Sequence, residues 1–181
     1  MALTDNYIEN FETLNLGKNF TIGNYNRIGK NVSIGNNVTI GHHCIIDEGV
    51  FIGDNVVIEN YVLLKQDTKI GKNVFVDSYV RSSGQNIIGD NSTIRYGATL
   101  AKNVILKDNV FISPNVMTIY STHEGKFIKN TLIDNGAFIG TAAVVGPGVA
   151  IGQEVVIGAM AYVSKDCLEK GTYVGVPAKR I

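Results

Sequence analysis

The chain is dominated by a six-residue period. An aliphatic side chain recurs at every sixth position from Leu16 to Ile112, interrupted only at Ser82, and the same period returns from Ile133 to Val163. Neither an ordinary β-sheet nor a helix bundle repeats every six residues over such a length. A sustained hexad period is typical of a parallel β-helix, in which each repeat forms one strand and one corner.

The other hexad positions explain why the chain turns. The second position is usually Gly, the fourth is usually Asn or Gly, and the fifth is small and mostly apolar, as in Gly35, Asn37 and Val38. Because Asn and Gly reach positive φ at the lowest steric cost, the fourth position marks a sharp corner. Three hexads then close one triangular coil, and coils stack at about 4.8 Å.

Composition narrows the class of protein. Sixteen basic residues balance sixteen acidic ones, so bulk charge gives no argument for nucleic acid or an anionic membrane as a partner. No apolar run approaches the ~20 residues of a membrane span, and the first residues lack the pattern of a secretory signal. Cys44 and Cys167 do not suggest a disulfide framework. We therefore predict a cytoplasmic protein with no nucleic-acid or membrane partner.

The period divides a single domain into parts. A short helix over residues 4–12, beginning at Thr4 or Asp5, is predicted to cap the open first coil. Where the hexad register fails, after Met117, we predict an extruded loop, and such interruptions of a solenoid are places where function is expected. Within the domain 1–181, the predicted parts are a cap over 1–15, coils over 16–117, the loop over 118–132, coils over 133–168 and a tail over 169–181.

Two outward-facing columns of side chains are apolar. The sixth hexad position points outward, and residues three hexads apart share a face of the coil. Exposed apolar columns usually mark an interface. Two different columns suit a ring in which one face of each subunit meets the other face of its neighbour. One column contains Val57, Phe75 and Phe111, and the other contains Phe51, Ile87 and Ile105.

From Leu16 onward, these repeats resemble the hexapeptide-repeat acyltransferases. The resemblance implies an all-β, left-handed parallel β-helix, whose hand is opposite to the usual crossover rule. It also implies a homotrimer and acetyl-CoA as co-substrate. The period alone does not give the hand.

His123 is the predicted catalytic residue. The segment from Ile112 to His123, which begins Ile-Ser-Pro-Asn-Val, resembles the stretch before the catalytic His of galactoside- and maltose-type acetyltransferases. In that family the imidazole takes a proton from the acceptor as it attacks the thioester, a task suited to imidazole. Glu124 would orient the ring or hold a cationic acceptor. The alternative is an ordinary histidine of a surface loop.

The segments 138–149 and 156–166 resemble the acyl-CoA section of the family. By that resemblance, the backbone at Thr141 and at Ala159, one coil later, holds the pantetheine arm, because small residues let a thin chain lie against the backbone. Met160 departs from the family, in which Gly is usual, and this narrows the channel or alters the fit.

The C-terminal segment Gly175-Val176-Pro177-Ala178-Lys179 resembles the Gly-x-Pro-Ala-Lys segment of the family. The resemblance places Pro177 at the CoA site. Lys165, Lys179 and Arg180 would meet the CoA phosphates. The alternative for these cations is a solvated basic terminus.

Metal chemistry is the rival on this fold, because γ-class carbonic anhydrases share the helix and use three histidines. Here His43 and His123 are separated by more than four coils, or roughly 20 Å along the axis. Zinc needs its ligands at about 2 Å, so we expect no metal site. His42 and His43 are predicted to be corner residues.

The acceptor is the least constrained part of the prediction. In length the chain resembles one-domain enzymes that N-acetylate nucleotide-linked amino sugars for surface polysaccharides. It also resembles O-acetyltransferases of simple sugars, but Thr93 stands where those enzymes carry an Asn that helps to place the acceptor. We therefore favour a nucleotide-linked amino sugar, with Asn86, Arg95 and Tyr120 as acceptor-binding candidates.

Two alternatives stay open at this stage. The degenerate hexad 82–86 is either a tolerated corner or a polar patch near the acceptor. The whole protein is either an enzyme, of the N- or the O-acetyltransferase type, or a non-catalytic structural β-solenoid. The loop histidine and the CoA-type C-terminus argue against the solenoid, because a purely structural repeat needs neither.

Overall fold

Residues 5–181 are described by the computed structural model, and they form a parallel β-helix of about nine turns. Each turn contributes one short strand to each of three sheets, A, B and C. The predicted fold class, an all-β left-handed β-helix of hexapeptide repeats, is confirmed. Among residues 5–181, no helix has the length and apolarity needed to cross a membrane.

The strands are short, and almost all contain two residues. Sheet A consists of Tyr7–Ile8, Arg27–Ile28, Ile45–Ile46, Leu63–Leu64, Arg81–Ser82, Thr99–Leu100, Met117–Thr118, Val144–Val145 and Tyr162–Val163. Sheet B consists of Asn15–Leu16, Ser33–Ile34, Phe51–Ile52, Lys69–Ile70, Ile87–Ile88, Ile105–Leu106, Leu132–Ile133 and Ala150–Ile151. Sheet C consists of Thr21–Ile22, Thr39–Ile40, Val57–Ile58, Phe75–Val76, Thr93–Ile94, Phe111–Ile112, Phe138–Ile139, Val156–Ile157, Thr172–Val174 and Lys179–Arg180.

The pairing register follows the hexads. Ser33 pairs with Phe51, three hexads later, and Phe51 pairs with Lys69, again three hexads later. Ile105 pairs with Leu132, so nine extra residues are inserted at this point without breaking the sheet. At the C-terminal end, the last strand of sheet C turns back antiparallel to Thr172–Val174. The coil of three hexads predicted from the sequence is therefore the repeating unit of the fold.

The core is a stack of aliphatic side chains inside the triangular coil. From Ile28 to Val163 the first hexad position is buried, as at Ile46, Ile52 and Ile58, whose exposure is at most 1%. Fully burying such a side chain contributes about 1.5–3 kcal/mol relative to leaving it exposed. The other residue of each two-residue strand points outward and is partly or fully exposed. Even these short strands therefore show the inward–outward alternation of a β-strand.

The corner between sheets B and C is built from asparagine. Asn19, Asn37, Asn55, Asn73 and Asn91 all have φ between 55° and 58°. Each side-chain amide donates a hydrogen bond to the next asparagine of the column at 2.9–3.0 Å, from Asn19 up to Asn91. The predicted positive φ of the fourth hexad position is confirmed.

The corner between sheets C and A is built differently. Tyr25, His43, Tyr61 and Tyr79 occupy the same positive-φ position there, with φ of 57° to 63°. Their rings stack at centroid distances of 4.9–5.1 Å, and we call these four residues the aromatic ladder. Bulky residues with positive φ are uncommon, and the hexad pattern did not lead us to expect them.

The N-terminal cap is smaller than predicted, and the predicted helix over 4–12 is wrong. Tyr7–Ile8 is a strand of sheet A, in which Tyr7 N–H donates to Asn26 O at 2.8 Å. The helical part is a single 3-10 turn, Phe11–Thr13, capped by the Asn10 side chain. The strand wins because it continues the ladder of sheet A and buries Ile8. Thr4, the alternative helix cap, lies outside the described residues.

A buried polar chain interrupts the core where the hexad is degenerate. The Thr68 and Ser82 hydroxyls are 2.7 Å apart, and Ser82 Oγ donates to Asn86 Oδ1 at 2.5 Å. Asn86 Nδ2 donates to Ala101 O at 2.6 Å, and Ala101 N–H donates to Thr118 Oγ1 at 2.7 Å. All five residues are at most 7% exposed. Burial of these polar groups is tolerated because each one has a partner.

Thr118→Val tests this chain. Valine keeps the shape of threonine but leaves Ala101 N–H without an acceptor, so we expect a loss of about 1–3 kcal/mol in the free energy of unfolding. Urea denaturation at fixed protein concentration measures it. Thr99→Val, at an outward position of sheet A, is the control and should stay within about 0.5 kcal/mol of wild type. Equal losses in both variants would contradict the assignment.

Candidate functional site

The inserted segment leaves the coil at the corner between sheets A and B. It starts after Thr118 of sheet A and returns at Leu132 of sheet B. An isolated antiparallel bridge joins Ser121 to Phe127, so the segment is a small hairpin with His123 near its tip. We call residues 119–131 the loop.

The loop is held against the coils above it. The Thr131 hydroxyl accepts a hydrogen bond from Gly148 N–H at 3.1 Å, and Lys129 Nζ lies 3.4 Å from Asp166 Oδ2. The ion pair is about half exposed and contributes little by itself. Together these contacts place the loop at the height of the coils that contain Gly148 and Asp166.

His123 is presented to solvent. Its side chain is 92% exposed, and Nε2 lies 3.9 Å from Glu124 Oε1. That distance is too long for a hydrogen bond, so within this chain Glu124 does not fix the imidazole. Tyr120, the acceptor candidate in the loop, is half-buried and stacks on Phe127 at 5.2 Å. The tip of the loop borders an open cavity of about 630 Å³.

Thr141 and Ala159 lie one coil apart at the corner between sheets C and A. Both residues are exposed, and Thr141 O accepts from Met160 N–H at 2.8 Å. Within residues 5–181, the N–H groups of Thr141 and Ala159 donate to no protein acceptor. Thr141 and Ala159 therefore both offer free backbone donors on one outer edge.

In lower coils of the same corner, backbone amides donate to side chains of the next coil. There the amide of Asn24 donates to His42 Nδ1 at 3.0 Å, and that of His42 donates to Asn60 Oδ1 at 2.8 Å. The short Ala159 side chain cannot cap the amide of Thr141 in the coil below it. Pro114, at the equivalent position one coil below Thr141, has no N–H to donate. On this corner the backbone amides are therefore capped in the lower coils and open to solvent at Thr141 and Ala159.

Gly140 allows the backbone of neighbouring coils to approach closely at this edge. A Cβ added at Gly140 would lie 2.5 Å from Ala159 N, which no side chain tolerates. Met160 follows Ala159 with φ +59° and is 75% exposed. Gly would adopt this φ without strain, so the structure accounts for glycine being usual at this position.

The predicted phosphate-binding cations are only partly available. Arg180 is engaged within the tail, by Glu169 Oε2 at 3.2 Å and Lys170 O at 2.8 Å. Lys165 and Lys179 are exposed and form no ion pair within residues 5–181. Pro177 is also exposed and follows a cis peptide bond.

The tail itself is fixed to the last coil. Ala178 N–H donates to Tyr162 O at 2.7 Å, and Tyr162 N–H donates to Gly175 O at 3.0 Å. The positions of Pro177 and Lys179 are therefore defined by the coil that carries Ala159.

Two acceptor candidates have different surroundings. Asn86 is completely buried in the polar chain, and its burial argues against contact with an acceptor. Arg95 is at the surface of sheet C, with Nε 3.3 Å from Asp77 Oδ2 and its guanidinium 5.6 Å from the Phe75 ring. The sequence did not separate these two because the hexad register continues through both.

The remaining reactive side chains have structural surroundings. His42 caps Asn24, and His43 belongs to the aromatic ladder. Among residues 5–181, no three His, Cys, Asp or Glu side chains form a metal-binding group. Burial raises the pKa of the Cys44 thiol to about 11, and burial also raises the pKa of Cys167. Both thiols are therefore protonated at neutral pH and are poor nucleophiles.

Within one chain, the two predicted halves of the site are separated. The loop with His123 sits at the corner between sheets A and B, whereas Thr141 and Ala159 sit at the corner between sheets C and A. One side of the triangle, a single hexad of up to about 20 Å, lies between these corners. Gly148 follows Thr141 in one coil, and Asp166 follows Ala159 in the next, so the two halves share the same height along the axis.

Comparison with known families gives two matches. The profile of the GMPPB C-terminal domain matches residues 12–122, and the profile of the hexapeptide repeat of succinyl-transferase matches residues 131–165. The comparison with curated proteins finds no match.

Solved structures give the same picture. A perosamine N-acetyltransferase from Caulobacter crescentus, solved as a histidine-to-asparagine mutant with CoA and GDP-perosamine, is 25% identical, with a TM-score of 0.59. The match covers 66% of this chain and 53% of that one. A galactoside acetyltransferase in complex with coenzyme A is 32% identical, with a TM-score of 0.58 and coverage of 64% of both chains.

Fold similarity extends further than sequence similarity. A UDP-N-acetylglucosamine acyltransferase from Bacteroides fragilis has a TM-score of 0.85 at 19% identity, covering 100% of this chain and 74% of that one. At this identity the likeness concerns the fold. The present chain spans less than two thirds of the length of the perosamine and galactoside enzymes.

Proposed function

Because the chain belongs to the hexapeptide-repeat family matched by the GMPPB C-terminal domain profile, we propose that it is an acetyl-CoA-dependent acetyltransferase acting on a sugar. The observation that carries the proposal is the pair of open amides at Thr141 and Ala159, on a corner whose lower amides are capped. Two sugar acetyltransferases of this fold have been solved with CoA, which supports the same ligand here.

The open amides suit the pantetheine arm of CoA. That arm is thin and carries amide carbonyls, which accept hydrogen bonds from backbone N–H groups such as those of Thr141 and Ala159. Lys165 and Lys179, both without an ion pair in the described chain, are the cations available to the CoA phosphates. Arg180 is the weaker candidate, because Glu169 already holds it. Pro177 lies two residues before Lys179 in the same tail.

Assembly as a homotrimer would unite the halves of the site. If sheet C of one subunit packs against sheet B of the next, the asparagine corners meet at the axis and every sheet A faces outward. The outer end of each interface then joins the corner between sheets C and A of one subunit to the corner between sheets A and B of its neighbour. His123 of one copy would face Thr141 and Ala159 of another.

The apolar columns support this arrangement. Sheet C carries Val57, Phe75, Phe111 and Phe138 on its outer surface, and Phe111 stacks on Phe138 at 5.2 Å. Sheet B carries Phe51 and Ile87, which are 49% and 47% exposed. These are the two faces that the proposed ring would bury, with Lys69 between Phe51 and Ile87 on sheet B. Sheet A carries the charged Arg27 and Arg81 as well as the exposed Ile45 and Met117.

In the proposed reaction the acyl group moves directly from CoA to the acceptor. The acceptor nitrogen or oxygen forms a bond to the thioester carbon, the carbon–sulfur bond breaks, and CoA leaves as the thiolate. His123 takes the proton from the attacking group and returns it to the thiolate. In the site completed by the second subunit, Glu124 would hold the imidazole or a cationic acceptor. The protonated Cys44 and Cys167 offer no nucleophile for an acyl-enzyme.

For the acceptor, we favour the amino group of a nucleotide-linked amino sugar, in surface polysaccharide biosynthesis and in the cytoplasm. Support comes from the perosamine enzyme, which was solved with a nucleotide-linked sugar. Arg95 and Tyr120 are the exposed and half-buried candidates for contacting it. O-acetylation of a simple sugar is the second candidate, favoured by the 32% identity to a galactoside acetyltransferase.

Thiol release tests the proposal and the role of His123 together. Purified protein with acetyl-CoA is screened against nucleotide-linked amino sugars and simple sugars. On the best acceptor, His123→Ala should lower kcat by about 10²–10⁴, since the general base is lost.

The affinity for CoA, measured by calorimetry, is the control for this variant. It should change little in His123→Ala, because the backbone amides and the lysines proposed to hold CoA are intact in this variant. Activity of His123→Ala within threefold of wild type would contradict the catalytic assignment. A wild-type protein that neither binds CoA nor releases thiol would leave the structural solenoid as the remaining interpretation.

Phe111→Lys tests the trimer. A lysine in the column of sheet C would place a charge in the proposed interface, at a cost of several kcal/mol. Sedimentation velocity should show a trimer for wild type and smaller species for the variant at micromolar concentration. Thr21→Lys, on the same sheet far below the apolar column, should remain trimeric. A monomeric wild-type protein would overturn the prediction.

A further inference from the structure

The aromatic ladder is not required by the backbone. Its position has positive φ, which costs L-residues other than glycine about 1–2 kcal/mol, and asparagine meets the same demand at the corner between sheets B and C with less strain. Stacking of the rings offsets part of this cost. The aromatic side chains are 44–65% exposed at Tyr25, Tyr61 and Tyr79, so the ladder is a surface and not part of the core.

The ladder ends below the proposed CoA edge. In the coil above Tyr79 the ladder position is Gly97, which has no side chain, so the column of parallel rings stops. Tyr96 turns instead, with its ring at 60° to that of Tyr79 and a centroid distance of 5.4 Å. Asn115 Oδ1 lies against Gly97 from the coil above. Two exposed rings and an amide therefore line the end of the ladder.

This end shares its corner with the proposed CoA edge. From Tyr79 the column continues through Gly97 and Asn115 to Ala142, the residue after Thr141. These three coils correspond to about 14 Å along the axis. A nucleoside, two phosphates and a hexose in line have a length of this order. An acceptor whose base lies on Tyr79 would therefore present its sugar near Thr141.

Arg95 supplies charge beside the rings. It precedes Tyr96 directly, and Asp77 holds its Nε at 3.3 Å. The guanidinium also lies over the Phe75 ring, with Cζ 5.6 Å from the ring centroid. Arg95 is exposed, and its guanidinium can bind phosphate oxygens in place of the Asp77 carboxylate. Tyr96 N–H, which donates to no protein group in the described chain, adds a further donor.

We propose that Tyr79, Tyr96 and Arg95 form the nucleotide subsite of the acceptor. The nucleobase packs against the exposed parts of the Tyr79 and Tyr96 rings, which touch each other, and Arg95 binds the diphosphate in exchange for its contact with Asp77. The inference rests on the proposed function, and it identifies the feature of the acceptor that this chain recognises. It also separates the end of the ladder, near the CoA edge, from Tyr25 three coils below it.

Calorimetry with nucleoside diphosphates tests the subsite without any turnover. Uridine, guanosine and thymidine diphosphates are titrated into the wild-type protein and two variants. Tyr79→Asn keeps a residue that accepts positive φ but removes the ring, so affinity for the best nucleotide should fall about 5- to 150-fold, as for other base–aromatic stacks. Tyr25→Asn is the matched control, with the same change at the far end of the ladder, and should bind as wild type.

Arg95 is tested by the same titration. Arg95→Gln should weaken nucleotide binding about tenfold, as expected for a lost charge-assisted hydrogen bond. Arg27→Gln, which removes an arginine already paired with Glu9 and Asp47, should have no effect. Pyrophosphate, which has no base, should bind the wild-type protein much more weakly than the nucleotides do.

Several results would overturn the subsite. They are equal loss in Tyr79→Asn and Tyr25→Asn, pyrophosphate binding as tight as nucleotide binding, or no nucleotide binding at all by a protein that binds CoA. CoA affinity, measured on the same preparations, keeps the two proposals apart. Absence of CoA binding contradicts the proposed function, whereas intact CoA binding without nucleotide binding contradicts only this inference.

Discussion

The structure depends on one constraint, which is the hydrogen-bonded register between strands that lie one coil apart. Each backbone amide of a strand meets a carbonyl of the next coil, as Phe51 N–H meets Thr68 O at 2.9 Å. Because this register is kept from sheet to sheet, every outward position becomes a column, and every corner becomes an edge. Functional groups that must lie in one line along the axis can therefore be encoded in the sequence at intervals of three hexads.

The three edges carry different chemistry. The edge between sheets B and C is a column of asparagine side chains that hydrogen-bond to one another, as Asn55 does to Asn73. The edge between sheets C and A begins with capped amides and aromatic rings and ends with the open amides of Thr141 and Ala159. The edge between sheets A and B carries the loop with His123. In the proposed ring the first edge faces the axis, and the other two meet between neighbours, so one account explains all three.

Much of the fold was predictable from the sequence because each position of the hexad has a fixed place in the coil. The inward residues, the positive φ of Asn37 and the shared face of Phe75 and Phe111 follow from counting.

Other features depend on partners that counting does not name. The polar Ser82 and Asn86 read as a weak repeat, yet they are buried and hydrogen-bonded to groups in neighbouring coils. Tyr7–Ile8 was assigned to a helix because local pattern and capping residues favoured it, whereas the free edge of sheet A determined its conformation. The aromatic ladder was missed because positive φ predicts Asn or Gly, and stacking across coils overrides that local preference. A search at the interval of a whole coil, instead of a single hexad, would have aligned its four residues in the sequence.

The central claim is that the loop of one subunit works with the corner of another. The most direct measurement mixes two inactive variants, His123→Ala, which keeps an intact corner, and Ala159→Asp, which keeps an intact loop. Refolded together in equal amounts, the chains should form some interfaces in which an intact loop faces an intact corner. With random heterologous assembly this predicts about a quarter of wild-type acetyl transfer. Activity no higher than the sum of the two variants assayed separately would contradict a site shared between subunits.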